Sequence, residues 1–361
     1  MNKNDIKLGV SLYCYQDNYY FKRYDLEGCI AAAAGSGATG IEVFFETMMP
    51  EWPYISDRFV DHWHGLLQRY GVEAVCADHF SDTRMWKKKN LSDDQLYERG
   101  VLYIETAAKL GIPNVRMMHE EHGGSPPLHR GFRHLAAADG DYHLSNVDII
   151  KRLLPVARDH NIMMCLETHA PTHIMDPCHQ PYLEAAEQLG IPNVGLQIDC
   201  SSYEYCASTA DIGMYVRQGA NPEILNFIRE KQIDAYKADI PFEMADIMPE
   251  IERMKPNAVD KEFIDMPYAW QKTRASFKDL EENASKVVYI HGKFYDILDD
   301  GEVDNIEYQK LFDALVKGGY KGYICSEFEG NRRMNDAGWV DEIEYVRKHQ
   351  ALMRKCLAAA K

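Results

Sequence analysis

Short runs of β-branched and apolar residues alternate along this chain with longer stretches in which apolar residues recur every three or four positions. The first pattern marks buried strands and the second amphipathic helices. Strands are predicted over Leu8–Tyr13, Gly40–Phe45, Val72–Ala77, Asn114–Met118, Ile162–Glu167, Val194–Asp199, Lys286–His291 and Gly322–Ser326. Helical patterns lie between them at Leu26–Ala34, Asp57–Tyr70, Asp93–Leu110, Asn146–His160, Pro181–Leu189 and Ile306–Lys317, and Trp339–Leu357 closes the chain. Eight strands, each followed by helical sequence, is the count for a (β/α)8 TIM barrel. An open doubly wound sheet is the competing architecture. It calls for a G-x-G-x-x-G turn after the first strand, and none is present.

A repeated unit is visible inside the chain. Leu110-Gly111-Ile112-Pro113-Asn114-Val115 recurs as Leu189-Gly190-Ile191-Pro192-Asn193-Val194. In each copy a glycine suits the left-handed cap of a helix, proline blocks its continuation, and Asn-Val enters a strand. The rhythm breaks once. The stretch from Asp199 to His291 is far longer than those from Glu167 to Asp199 or from His291 to Glu327. Residues 1–361 therefore read as one barrel domain carrying an insertion over roughly residues 206–285. Helical pieces Asn221–Lys231, Pro249–Met254 and Phe277–Asn283 and the aromatic stretch Met266-Pro267-Tyr268-Ala269-Trp270 lie within it. A packed insertion, a lid and a subunit contact are all compatible with that pattern.

Composition narrows the class. The 361 residues are 46% hydrophobic and 27% charged, enough for a large core and unlike a disordered chain. No apolar run reaches the length of about 18 residues that a membrane helix needs, so no membrane partner is expected. The start, Met1-Asn2-Lys3-Asn4-Asp5, lacks the charged and apolar regions of a secretion signal. Nine scattered cysteines form no Cys-x-x-Cys pair and read as reduced thiols, which points to the cytoplasm. A formal net charge of −16 argues against nucleic acid as a partner, since phosphate neutralisation needs surplus lysine and arginine.

The candidate chemistry lies at strand ends. Met163-Met164-Cys165-Leu166 is apolar until Glu167, Gly195-Leu196-Gln197-Ile198 leads to Asp199, Val287-Val288-Tyr289-Ile290 to His291, and Tyr323-Ile324-Cys325-Ser326 to Glu327. A buried carboxylate is costly unless paired or bound to metal. Singly, each residue reads as a helix cap or an ion-pair member. In consecutive barrel units the four converge on one face, where barrel active sites form. Three carboxylates and one imidazole suit a hard or borderline divalent metal such as Mn²⁺, with Mg²⁺, Co²⁺, Fe²⁺ and Zn²⁺ as alternatives.

This order of Glu, Asp, His and Glu resembles the xylose-isomerase-like barrel superfamily of sugar isomerases and epimerases, which includes the endonuclease IV type. Gly9-Val10-Ser11-Leu12-Tyr13, Gly40-Ile41-Glu42-Val43 and Leu166-Glu167-Thr168-His169 share in it. The family often continues its seventh strand as His-x-Lys-Asp. Here His291-Gly292-Lys293-Phe294 keeps the lysine and loses the aspartate. Within the superfamily, Ser11-Leu12-Tyr13-Cys14-Tyr15-Gln16, His291-Gly292-Lys293-Phe294-Tyr295 and Ser326-Glu327-Phe328-Glu329-Gly330 resemble the α subunit of bacterial C-glycoside deglycosidases. That resemblance implies a lyase acting on 3-oxo-C-glycosides, Mn²⁺, a histidine base and a small β subunit as partner. A sugar phosphate or ketose isomerase or epimerase is the alternative, with Glu167 and Glu327 as acid and base. A barrel that only binds a sugar or a partner is the non-enzymatic reading, and the full ligand set argues against it.

For the base, His143 follows the fourth strand just before the helix start at Ser145-Asn146, and imidazole titrates near neutrality. Lys293 is the second catalytic candidate. His169, two residues past Glu167 and so on the same strand face, is expected beside the substrate, as are Glu329 and Glu42. His119 and His122 read as a polar loop, and Asp78 and His79 as the end of the third strand.

Overall fold

Strands β1 (Ile6–Ser11), β2 (Gly40–Val43), β3 (Glu73–His79), β4 (Asn114–Met117), β5 (Met163–Thr168), β6 (Val194–Asp199), β7 (Val287–Phe294) and β8 (Gly322–Phe328) close into one barrel. All pairings are parallel, and β8 returns to β1 through partners from Ile6 with Gly322 to Val10 with Ser326. This is a computed structural model, and it describes residues 5–79, 92–117, 144–170, 172–265 and 275–361. The expected (β/α)8 barrel is thus the fold.

The local reasons are visible in the caps. Helix Asp57–Tyr70 begins where the Ser56 side chain accepts a hydrogen bond from the Phe59 amide, and ends at Gly71 with φ 64°. Its buried residues Phe59, Trp63 and Leu66 recur at helical spacing and face the core. The Trp63 indole donates to Leu110 O at 3.1 Å, so this ring tops the next unit. In the repeated Leu-Gly-Ile-Pro-Asn-Val segments both glycines are left-handed, at φ 73° and 66°. The following asparagines do the same work in each copy. Asn114 donates to Val75 O at 2.8 Å and Asn193 to Ile162 O at 3.0 Å, tying a strand start to its neighbour.

Strand limits differ from the sequence pattern by one to three residues at several ends, and two of these bear on the site. β1 stops at Ser11 rather than Tyr13, because the Ser11 hydroxyl accepts from the Tyr13 amide and turns the chain into the 3₁₀ segment Leu12–Tyr15. β7 runs past His291 to Phe294, so Lys293 remains on the His291 face.

Between β6 and β7 stand helices Thr209–Arg217, Pro222–Lys237, Met244–Arg253, Ala258–Ile264 and Phe277–Asn283. The first and fourth were not apparent in the periodicity, and Pro249 lies inside the third rather than opening it. Ile224, Leu225, Ile228, Ile251 and Phe263 give this segment an apolar core of its own. It is fastened to the loops after β7 and β8. The Thr209 amide donates to Asp304 at 2.5 Å, and Arg333 Nε lies 2.5 Å from Asp211 Oδ1. The aromatic stretch Met266–Trp270 lies outside the described residues. All nine cysteines are buried and none is in a disulfide. Among the described residues no helix is long and apolar enough to cross a membrane.

Candidate metal centre

Each of the last four strands carries polar side chains two residues apart at its C-terminal end: Glu167 and His169, Gln197 and Asp199, His291 and Lys293, Glu327 and Glu329. The alternation of a strand sends both members of a pair to one face, here the barrel interior. Glu167, Asp199, His291 and Glu327 offer ligand atoms that lie within 4.8 Å of one another, and all four residues are buried.

The charges are arranged around one imidazole and one ammonium. His291 Nδ1 lies 2.8 Å from Glu167 Oε1 and 3.1 Å from Glu327 Oε2. Lys293 Nζ sits 3.0 Å from Glu327 Oε2, 3.3 Å from Asp199 Oδ2 and 3.5 Å from Glu329 Oε1. Burial works to discharge both cations, but the surrounding carboxylates prevail and hold each well above its ordinary pKa. Burial likewise raises Glu327, yet His291 and Lys293 outweigh it and bring the carboxyl to about 2.

A metal fits this donor set. Asp199 Oδ2 and Glu327 Oε2 are buried and crowd around the Lys293 ammonium, with His291 Nδ1 also near Glu327 and His169 Nε2 near Asp199, and no backbone amide reaches either oxygen. Buried carboxylate oxygens that no amide answers are what a divalent cation satisfies, and three carboxylates with one imidazole match hard to borderline ions.

The remaining candidates fall at different depths. His169 is a quarter exposed, with Nε2 3.8 Å from Asp199 Oδ2, at the rim of the cluster. Glu329 accepts from the Tyr13 hydroxyl at 2.7 Å and completes the surroundings of Lys293. Glu42, expected near substrate, is fully buried beneath the cluster with its carboxylate against His291. His143, His119 and His122 lie outside the described residues.

Sequence reasoning missed three partners. Arg116 on β4 is buried between Asp78 Oδ1 at 2.6 Å and Glu167 Oε2 at 3.3 Å. Its signal was an arginine inside the apolar strand Asn114–Met117, which requires a buried anion. Gln197 places its amide 3.2 and 3.3 Å from the two ring nitrogens of His291. Near-equal distances put that amide over the ring face rather than in its plane. Ser11 donates to Glu42 Oε1 at 2.6 Å.

The family model of the xylose isomerase-like TIM barrel matches residues 30–218. This chain belongs to that family. Relatives along the whole length include the C-glycoside deglycosidase alpha subunit of Arthrobacter globiformis, 25% identical over 98% of this chain and 93% of the relative. The 3'-dehydrocarminate deglycosidase alpha subunit of Microbacterium sp is 25% identical over 90% and 88%. Among solved structures of similar fold, L-ribulose 3-epimerase superposes with a TM-score of 0.53 at 15% identity, covering 98% of this chain and 95% of that one. The IOLI protein with a binding zinc atom gives 0.54 at 12% identity, covering 98% and 99%. The full-length relatives are named deglycosidase alpha subunits, and the solved structures share the fold.

Proposed function

We propose that this chain is the catalytic large subunit of a C-glycoside deglycosidase, a lyase that cleaves the C–C glycosidic bond of 3-oxo-C-glycosides. The observation that carries the reading is the buried Glu167, Asp199, His291 and Glu327 cluster, in a chain whose full-length relatives carry that name. These four residues would hold a divalent ion, Mn²⁺ by preference. When bound there, the ion supplies positive charge to polarise a sugar carbonyl oxygen.

The protein's own groups do the rest. A ketone at C3 makes the C2 proton acidic. His143 takes that proton as general base. The electron pair forms the C1–C2 double bond, the bond from C1 to the aglycone carbon breaks, and that carbon gains a proton. Lys293, held charged among Asp199, Glu327 and Glu329, adds a fixed cation beside the reacting oxygens. His169 at the rim and Glu329 beside Tyr13 would bind sugar hydroxyls. The relatives' designation as alpha subunits supports a small β subunit as partner, and the helices between β6 and β7 are the proposed lid or contact surface.

A 3-epimerase or ketose isomerase would use the same four ligands, with Glu167 and Glu327 moving protons. The full-length relatives' names support the deglycosidase reading over that alternative. The test is to assay the purified chain, with its co-expressed small partner, on 3-oxo-C-glucosides and on free ketoses. His143→Ala is expected to lower C–C cleavage by roughly 10²–10⁴-fold. Full cleavage by that variant, or turnover confined to ketoses, refutes the assignment.

A further inference from the structure

The side of His291 turned away from Glu167 and Glu327 faces a second buried array. Nε2 lies 2.8 Å from Glu42 Oε2 and 3.1 Å from Glu42 Oε1. Ser11 donates to Glu42 Oε1 at 2.6 Å, and Ser11 and Glu42 are direct register partners across β1 and β2. Neither residue is exposed at all. A carboxylate buried so deeply must answer to something within the protein.

We propose that Glu42 is a positioning residue for the metal centre: it accepts the Nε2–H of His291 while Ser11 holds the carboxylate in place, so that in the neutral ring of the ion-bound protein the Nδ1 lone pair would be directed at the space between Glu167 and Glu327. The inference rests on the metal reading above and deepens it. Its logic is the two-nitrogen chemistry of imidazole. In a neutral ring one nitrogen carries the proton and the other the lone pair, so fixing the proton on Nε2 fixes Nδ1 as the ligand atom. A carboxylate on the far nitrogen also makes the ligand more basic. Gln197, seated over the ring face, blocks rotation without taking part in the in-plane bonding.

A rival assignment exists. Glu42, Asp78 and His291 together also bring ligand atoms within 4.8 Å. In that arrangement Glu42 would bind an ion itself. Arg116 opposes it, because its guanidinium already lies 2.6 Å from Asp78 Oδ1 and carries the positive charge a second ion would bring.

The experiment is Zn²⁺ and Mn²⁺ binding by the purified full-length chain, in competition with a chromophoric chelator, for the wild type, Glu42→Gln, Glu42→Asp and Ser11→Ala. Wild type takes up one ion per chain. Glu42→Gln weakens affinity by roughly 10–100-fold without changing that stoichiometry. Glu42→Asp, which keeps the charge one methylene further back, falls between the two. The Zn²⁺ form of ¹⁵N-histidine-labelled protein shows a strongly downfield ring N–H proton, which Glu42→Gln loses. Should Glu42→Gln fail to fold, Ser11→Ala carries the test, with a smaller loss of affinity and an upfield shift of the same proton. Affinity within twofold of wild type in Glu42→Gln together with an unmoved proton signal overturns the proposal. So does a fall from two bound ions to one, which makes Glu42 a ligand. A wild-type chain that takes up no ion at all overturns the metal reading itself, and is distinguishable because the loss then precedes any substitution.

Discussion

Replacing Arg116 with methionine keeps the length of its apolar stem but removes the cation between Asp78 and Glu167. Both carboxylates are essentially inaccessible to water, and Arg116 Nε lies 2.6 Å from one and 3.3 Å from the other. Water does not step in for the guanidinium, so the variant is left with uncompensated charge in the barrel. Breaking a buried pair in this way costs about 3–5 kcal/mol, a large share of a typical folding stability of about 5–15 kcal/mol. Arg116→Lys recovers only part of it, because an ammonium is a more strongly hydrated point charge and does not reproduce the delocalised guanidinium set between the two carboxylates. Removing the anion as well, in Arg116→Met with Asp78→Leu, restores at least half of the loss. The assay is urea unfolding of the ion-free chain, followed by circular dichroism and tryptophan fluorescence. Adding 0.5 M salt leaves the difference unchanged, since ions do not screen a buried pair as they do an exposed one. A loss below about 1 kcal/mol in the single variant, or no recovery in the double variant, refutes the argument that burial makes this pair obligatory.

Two further outcomes follow from other parts of the fold. His349 is fully buried, stacked on Phe294 at 4.0 Å and hydrogen-bonded through Nδ1 to Ser326 Oγ at 2.8 Å, and burial pushes its pKa from 6.5 down to about 3. Unfolded chains then bind a proton that the folded chain refuses. The stability this contributes is complete above pH 6.5 and is lost as pH falls towards 3, by at most about 5 kcal/mol; acid titration of unfolding checks it, and His349→Gln flattens the profile across that window. Gly330, which closes the Ser-Glu-Phe-Glu-Gly run, has no room for a methyl group, because a Cβ there would stand 1.8 Å from the Tyr295 carbonyl oxygen. Gly330→Ala is expected to cost about 1–3 kcal/mol and to displace the adjacent Glu329, read as a lower melting temperature and a lower kcat, whereas an unchanged melting temperature counts against the clash.

The periodic part of the fold was legible because its signals are local. Helix Asp57–Tyr70 is bounded by its own Ser56 cap and Gly71, and strand Val194–Asp199 by the Pro-Asn entry and by the Asp199 side chain, which accepts from the Ser201 amide at 2.7 Å. The four candidate ligands were legible for the same reason. Each breaks an apolar strand at its end, and one fold rule gathers strand ends on one face. Strand limits were less secure where a side chain competes with the ladder, as Ser11 does at the end of β1. Helix Thr209–Arg217 escaped notice because much of what anchors it is distant, Asp304 at its start and Arg333 against Asp211.

From the residues alone came the barrel, the order Glu167, Asp199, His291, Glu327, and the class of ion they suit. These depend on a strand period of two and on donor chemistry, both of which are written within a few neighbouring residues. Only the tertiary structure decided that Glu42 stands against His291, and that Arg116 rather than solvent answers Glu167. Glu42 and His291 stand 249 positions apart, on β2 and β7. Which side chains meet across a barrel depends on its closure and stagger, a property of all eight strands together that no local pattern carries.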